Sequence, residues 1–481
     1  MSKNKIILNS GIYSLLSLLQ KGVNFFMVPV LTVYLTTFDY GIVAVVTAIN
    51  LFLNKLYLLS LDGSINRFYY EYENDKEKIK RLFGTIVTFV LAVSTIFSVI
   101  IFLGHKYFID PFLSDVDFYP YMLLGMVSVF FNPIFTIYQN TLQAQQNGKK
   151  YGKQNMMFFI VNICLLLIGV VVLDMGAKGL LGALALTNII FFMYTLTRFG
   201  KEIKFGIDRH LLKESLTYSL PLIPHSISGI ATNTIDRLFV NSFLSTASAG
   251  IYALGNTFGG IIFLIASGVN QAFVPWFNEQ VKSGNNYKIP AIAKLLVLIY
   301  SIIALGISYF GKEVIAYVTP NAYHEAWKVI PFISFAFVFH SLYYFFSTPL
   351  FYNIKKKGSR VLPIFTVSAA VINITLNYIL IVRYGMIGVA IATLITKVLL
   401  ILALSRIYKK YVLINYPNAI MILLPIVYFG IAMISFYKFG NNELIYKIII
   451  YILVLFLTSL FFGKEIRVIK LKAARLYGQK K

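Results

Sequence analysis

Charged side chains within long apolar stretches are the residues of this sequence best suited to chemistry. Four are basic and two are acidic: Lys21, Lys55, Arg237, Lys397, Asp62 and Asp236. Charges within a hydrocarbon layer are rare and usually face a protein interior or a water-filled cavity. The excess of Lys and Arg favours an anionic ligand that carries phosphate or carboxylate groups.

Polar side chains extend two of these positions into stripes. Lys21 and Asn24 are three residues apart, and His225, Thr232 and Asp236 follow one another at intervals of seven and four. Such spacing places each group on one face of a helix. The two stripes therefore predict two walls of a central, substrate-binding cavity.

Several of these candidates also have a structural interpretation. Lys21 and Asn24 could hold helices together through hydrogen bonds to carbonyl oxygens. Asp236 and Arg237 are adjacent on a helix and point apart, so each needs a partner from another helix. His225 suits proton coupling and helix packing equally well.

Three further charges complete the predicted cavity. Lys55 and Asp62 are seven residues apart and share a helical face. Lys397 lies about twelve residues into its apolar stretch, too deep for its ammonium to reach the membrane surface. Asp62 and Asp236 are the candidate carboxylates for coupling transport to an ion.

The composition defines the class of protein in which this cavity lies. Of the 481 residues, 58% are hydrophobic and only 13% charged, whereas charged residues make up about a quarter of soluble proteins. A single cysteine, Cys164, excludes a disulfide framework and a Cys-based metal site. The sequence has no Walker-type loop, His-rich cluster or nucleophile elbow. It therefore predicts an integral membrane transporter without a cofactor, and not an enzyme.

Hydropathy predicts the helices that must position the charges. An all-α polytopic protein with about fourteen membrane spans is expected. The spans are predicted at 11–36, 40–64, 83–104, 120–142, 155–174, 178–198, 216–243, 247–272, 290–310, 328–353, 361–383, 385–407, 418–438 and 444–463.

Lys and Arg are distributed unequally between the two sets of loops. The termini and alternate loops carry 31 of them, whereas the opposite loops carry 5. Short loops rich in Lys and Arg stay on the cytoplasmic side of a membrane. We therefore expect both termini in the cytoplasm. The net charge of +24 then reflects topology and attraction to membrane lipids, and nucleic-acid binding is not expected.

Two segments of the first half of the chain recur in the second half at one offset. LTTFDYGIVAV (35–45) matches LSTASAGIYAL (244–254), and VLDMGAKGLLGALAL (172–186) matches IVRYGMIGVAIATLI (381–395), each 209 residues apart. Two matches at one offset predict a duplicated unit of six helices. Six is even, so the copies insert in the same orientation and are related by pseudo-two-fold symmetry along the membrane normal.

The repeat predicts the domain organisation. Residues 1–200 and 201–408 form two six-helix lobes, and residues 409–481 add a helix pair and a basic cytoplasmic tail. The added pair is expected to carry no interior charge and to face lipid or an acyl chain, with Lys447 reaching the membrane surface. Transporters commonly bind their substrate between such lobes.

The chain resembles a known family in two of its segments. INITLNYILIVRYGMIGVAIATLIT (372–396) is similar to that family's pattern of an Asn-containing helix, a Tyr-Gly-x-x-Gly turn and a helix of small residues. TIDRLFVNSFLSTASAGIYALGNTF (234–258) resembles its Asp-Arg helix end followed by Gly-x-Tyr. The family is the polysaccharide biosynthesis flippases, or O-unit translocases. They belong to the multidrug/oligosaccharidyl-lipid/polysaccharide exporter superfamily.

The resemblance implies a function. It implies a flippase that moves an undecaprenyl-diphosphate-linked oligosaccharide, an O-antigen or capsule repeat unit, from the cytoplasmic to the outer leaflet of a bacterial inner membrane by alternating access. Asp236 and Arg237 fall on the family's Asp-Arg position, and Lys21 fits its tendency toward cationic cavity residues. The implied partners are the lipid-linked substrate, membrane lipids and the polysaccharide polymerase machinery.

Three alternatives remain at this level. An ion-coupled multidrug extruder of the same superfamily would favour acidic residues in its cavity, so the cationic excess counts against it. A lipid II type flippase is a second alternative. An integral polymerase or ligase would need a large outer loop, which the predicted topology lacks.

Overall fold

Helices form all the regular secondary structure in the described part of the chain. The computed structural model describes residues 16, 19–20, 22–23, 25–352, 358–412, 414–438 and 444–462, and the side chains in these ranges except 358–360 and 435–438. Ten helices in this part are long and apolar enough to cross a membrane, and two shorter ones are also apolar. The protein is therefore an all-α polytopic membrane protein, as predicted.

The chain divides into two compact units. The first comprises Met1–Leu254, Val318–Glu325 and Leu362–Thr393. Its helices are α1 Phe25–Tyr34, α2 Thr37–Leu58, α3 Leu61–Glu71, α4 Lys76–Leu103, α5 His105–Phe108, α6 Asp110–Leu113, α7 Leu123–Ala144, α8 Gly148–Leu167, α9 Gly176–Phe199, α10 Arg209–Ser219, α11 Ile223–Phe243 and most of α12 Thr246–Gly259.

The second unit comprises Gly255–Tyr317, Ala326–Val361 and Leu394–Lys481. Its helices are α13 Ile261–Lys282, α14 Lys288–Val318, α15 Ile330–Tyr352, the end of α16 Gly358–Ile407, α17 Asn418–Lys438 and α18 Leu444–Phe461. The middle of α16 belongs to the first unit, and its backbone breaks at Gly385 into the two predicted spans.

One predicted span ends earlier than hydropathy indicates. The span at 40–64 is divided because Leu59 and Ser60 adopt left-handed backbone conformations, with φ of 46° and 55°. Residues other than glycine rarely adopt this conformation, and it cannot continue a right-handed helix. The chain therefore turns there, and α3 begins in a new direction.

The predicted repeat has matching local structure in both copies. Gly176 and Gly385, which are 209 residues apart, both have φ of 55°, a region that glycine enters without steric cost. Thr36 and Ser245 are also 209 apart, and each side chain accepts a hydrogen bond from the backbone N–H three residues later. Both copies therefore begin and turn their helices at equivalent residues.

The two copies pack against each other through equivalent glycines. A Cβ atom at Gly41 on α2 would overlap the carbonyl oxygen of Thr246 on α12. A Cβ atom at Gly250 on α12 would overlap the carbonyl oxygen of Thr37 on α2. Because the 209-residue offset exchanges these two contacts, they form a reciprocal pair, as a two-fold relationship requires.

The added helix pair carries a buried charge, so our expectation for it was wrong. Lys447 on α18 is only 5% exposed, and its Nζ donates to Glu313 Oε1 on α14 at 2.5 Å. Tyr451 on α18 donates to the carbonyl oxygen of Ile302. Within the second unit, polar contacts therefore attach α18 to α14.

This ion pair gives a stability prediction. Glu313→Leu should lower the free energy of unfolding by about 3 kcal/mol, because removing one partner leaves a buried charge uncompensated. Adding Lys447→Met should recover most of the loss, since an apolar pair can replace a buried ion pair. Thermal unfolding of the purified single and double variants measures both effects. A double variant no more stable than Glu313→Leu would contradict the assignment.

Candidate functional site

Asp236 lies at the centre of a buried polar cluster in the first unit. Its side chain on α11 is 4% exposed. The carboxylate accepts hydrogen bonds from Tyr252 Oη at 2.8 Å, Asn377 Nδ2 at 2.9 Å and Thr393 Oγ1 at 2.6 Å. Three donors on other helices satisfy a carboxylate that would otherwise be costly to bury. Asp236 therefore finds its partners away from its own helix.

The break in α16 brings two of these donors to one place. Asn377 is eight residues before Gly385 and Thr393 eight residues after it, so each lies about 12 Å from the turn along its half-helix. Gly388 lets the halves approach closely, because a Cβ atom there would overlap the carbonyl oxygen of Leu380. The turn and the small residue together position both donors at the depth of Asp236.

A second amide extends the cluster. Asn377 Nδ2 donates to Asn373 Oδ1 at 3.3 Å, and Asn373 Nδ2 donates to Thr393 Oγ1 at 3.4 Å. The cluster thus surrounds one carboxylate with neutral oxygen and nitrogen groups. Carboxylate, hydroxyl and amide oxygens are the groups that bind hard cations, and a carboxylate can also take a proton.

Arg237 brings positive charge next to this cluster. Its Nε is buried and has no hydrogen-bond partner among the described residues. Asp236, Tyr40 and Tyr252 are its electrostatic neighbours. A buried guanidinium with an unmet donor is suited to an anionic or strongly hydrogen-bonding ligand.

Lys55 and Asp62 form an ion pair across the turn between α2 and α3. The Nζ–Oδ2 distance is 3.5 Å, and both side chains are about one quarter exposed. The pair neutralises both charges locally. The predicted shared helical face was wrong, because Lys55 lies on α2 and Asp62 on α3, but the two side chains do meet.

The other predicted residues lie in different surroundings. His225 Nδ1 is 2.9 Å from Thr366 Oγ1, and Thr232 Oγ1 donates to the carbonyl oxygen of Gly229. Lys397 lies in the second unit, is 2% exposed and is an electrostatic neighbour of His340. Two remaining candidates lie outside the described residues: Lys21 and Asn24.

The sequence reasoning missed most of the residues that hold Asp236. Asn373 and Asn377 are four apart in a strongly apolar helix, which is a readable signal for a polar face. Tyr252 carries no such signal, because its role depends on the packing of α12 against α11. In the described residues, no group of three or more His, Cys, Asp or Glu could hold a metal ion.

Solved structures share this fold. The lipid II flippase MurJ in an inward closed conformation matches with a TM-score of 0.73 at 16% identity, covering 96% of this chain and 100% of that one. A variant of the MATE transporter VcmN of Vibrio cholerae matches with a TM-score of 0.57 at 15% identity, covering 85% and 96%.

Sequence comparison identifies the family. A Haemophilus influenzae protein of the Lsg locus is 25% identical over 293 residues, which is 58% of this chain and 67% of that protein. The profile described as polysaccharide biosynthesis protein matches residues 6–281. This match spans more than half of the chain, which therefore belongs to the polysaccharide biosynthesis protein family.

Proposed function

We propose that this protein is a flippase for an undecaprenyl-diphosphate-linked oligosaccharide, an O-antigen or capsule repeat unit. It moves this lipid from the cytoplasmic to the outer leaflet by alternating access of the lobes 1–200 and 201–408. The observation that carries the proposal is the buried charged site at Asp236 and Arg237 within a membrane-spanning member of the polysaccharide biosynthesis protein family. A lipid-linked sugar needs such polar surroundings for its head group.

The basic groups bind the diphosphate in this proposal. Arg237, Lys21 and Lys397 provide the positive charge, and Lys55 contributes when its pairing with Asp62 opens. Asn24, His225 and Thr232 line the cavity beside them. The attraction of these cations for a dianionic head group is strongest where water is partly excluded.

Asp236 provides the ion coupling. Asp62 pairs with Lys55, whereas Asp236 accepts hydrogen bonds from three neutral donors that can exchange for a proton or a monovalent cation, with Arg237 as a charged neighbour. Binding of either ion changes the charge beside Arg237. Such a change is able to bias two conformations of the lobes.

Deletion of the gene tests the proposal against its rivals. We expect lipid-linked oligosaccharide to accumulate in the cytoplasmic leaflet and surface polysaccharide to be lost, with drug sensitivity nearly unchanged. The test requires a strain with one such gene, since a second flippase would substitute. Hypersensitivity to cationic dyes with intact surface polysaccharide would favour a multidrug extruder. Loss of peptidoglycan synthesis would favour a lipid II type flippase.

The topology gives an independent prediction. In a Cys164→Ser background, a cysteine at Asn74 should be shielded from an impermeant thiol reagent in intact cells, and one at Asp115 should react. The reason is that loops rich in Lys and Arg remain cytoplasmic. Both side chains are exposed, so burial does not explain a difference. Labelling at position 74 without labelling at position 115 would show that the orientation is the reverse of the predicted one.

A further inference from the structure

A cavity lined by uncharged amides lies within the first unit, apart from the charged site. It has a volume of about 490 Å³ and lies between α7 and α8, in the size range of small-molecule sites. Six of its amide side chains come from these two helices: Asn132, Gln139, Asn140, Gln143, Asn155 and Asn162. No described residue that lines the cavity is charged.

Hydrogen bonds hold two of the amides in fixed orientations. Asn155 Nδ2 donates to Gln139 Oε1 at 2.6 Å, and Gln139 Nε2 donates to Gln154 Oε1 at 3.1 Å. Gln154 in turn donates to Tyr138 Oη at 3.2 Å. This chain fixes the wall of the cavity, because Gln139 and Gln154 each donate one hydrogen bond and accept another.

Two amides at the same wall remain available for a ligand. The side chains of Asn140 and Gln143 have no hydrogen-bond partner among the described residues. Aromatic rings of Phe135 and Phe158 line the cavity with them and stack on each other at a centroid distance of 5.0 Å. The cavity therefore combines free amide donors and acceptors with apolar ring surface.

From this arrangement we infer that the cavity binds the sugar portion of the lipid-linked substrate and selects uncharged sugars. Sugar hydroxyls donate and accept hydrogen bonds, as amides do, and the apolar C–H faces of sugar rings pack on aromatic rings. A charged sugar would find no counter-charge among the described lining residues and would be costly to desolvate. The inference rests on the proposed function and deepens it.

The position of the cavity agrees with this role. Gln143 lies one residue before the end of α7, and α8 begins at Gly148. The charge pattern predicts that this connection lies on the cytoplasmic side. From Gln143 to Asn132 the helix rises about 17 Å, so the amides extend from the cytoplasmic end toward the middle of the membrane. A sugar entering from the cytoplasm would meet them first.

Binding of a free sugar tests the inference. The probe is the oligosaccharide repeat unit released from the surface polysaccharide of the source strain, without lipid. Saturation-transfer NMR with the purified native protein should show binding. An Asn140→Leu, Gln143→Leu variant should bind about ten-fold more weakly, because two ligand hydrogen bonds are lost. Asn66→Leu is the matched control, since this amide on α3 lies outside the cavity.

The outcomes separate this inference from the proposed function. The double variant should keep the native melting temperature, and inorganic diphosphate should not displace the sugar. Undiminished binding by the double variant, displacement by diphosphate, or no binding by the native protein would overturn the sugar site. None of these outcomes changes the deletion phenotype, which tests the flippase proposal independently. An Asn140→Gln, Gln143→Asn variant that restores binding would support a hydrogen-bonding role.

Discussion

Asp236→Leu should abolish export of surface polysaccharide and lower the melting temperature of the purified protein. Tyr252, Asn377 and Thr393 would lose their acceptor while remaining buried. An unsatisfied buried donor costs roughly 1–3 kcal/mol, so the combined effect is large. Thermal unfolding and surface staining in a complemented deletion strain measure the two consequences.

Asp236→Asn separates coupling from stability. The amide keeps the shape and one acceptor oxygen but removes the charge. We expect near-native thermal stability with ion-dependent transport lost. Tyr252→Phe is the control for one missing hydrogen bond and should retain ion dependence. Unchanged ion dependence in Asp236→Asn would leave Asp236 with a structural role only.

Gly41→Ala and Gly250→Ala should each lower export about five-fold or more, because overpacking costs roughly 1–3 kcal/mol and 1 kcal/mol is about a factor of five in the folded population. Each new Cβ would overlap a backbone carbonyl oxygen, which cannot rotate away as a side chain does. The reciprocal contact between α2 and α12 would then open, and a cysteine at Ser248 should react faster with an impermeant reagent in a Cys164→Ser background. Gly182→Ala is the matched control, since nothing lies within 4 Å of its added Cβ.

Wild-type export together with unchanged labelling in either glycine variant would show that this contact is not required. Equal effects of Gly41→Ala and Gly250→Ala are expected from their equivalence in the repeat. A large effect at only one of the two positions would contradict that equivalence.

The apolar, membrane-spanning helices could be predicted because they depend on local composition. Hydropathy identifies a span from its own residues. Gly176 and Gly385 indicate turns at equivalent positions, because glycine is the residue type that adopts positive φ most readily. The left-handed turn at Leu59 could not be predicted, because a leucine there carries no local signal for positive φ. Only packing of the surrounding helices selects it.

The contacts that could not be predicted are those between residues far apart in the sequence. Lys447 looks like a surface lysine until its partner Glu313, 134 residues away, is known. Likewise, the donors to Asp236 come from three segments whose approach depends on the turn at Gly385. The amide stripe from Asn132 to Gln143 was readable from its helical spacing. Neutral amides are nevertheless less conspicuous in an apolar sequence than charges are.

Transport by the purified protein in liposomes tests the central proposal most directly. Lipid-linked oligosaccharide from the deletion strain is placed in the inner leaflet, and a membrane-impermeant glycosidase reports its arrival outside. We predict that the native protein exposes the sugar, and that Asp236→Leu and empty liposomes do not. Equal exposure in native and empty liposomes, under both an imposed proton gradient and an imposed sodium gradient, would contradict the assignment as a flippase.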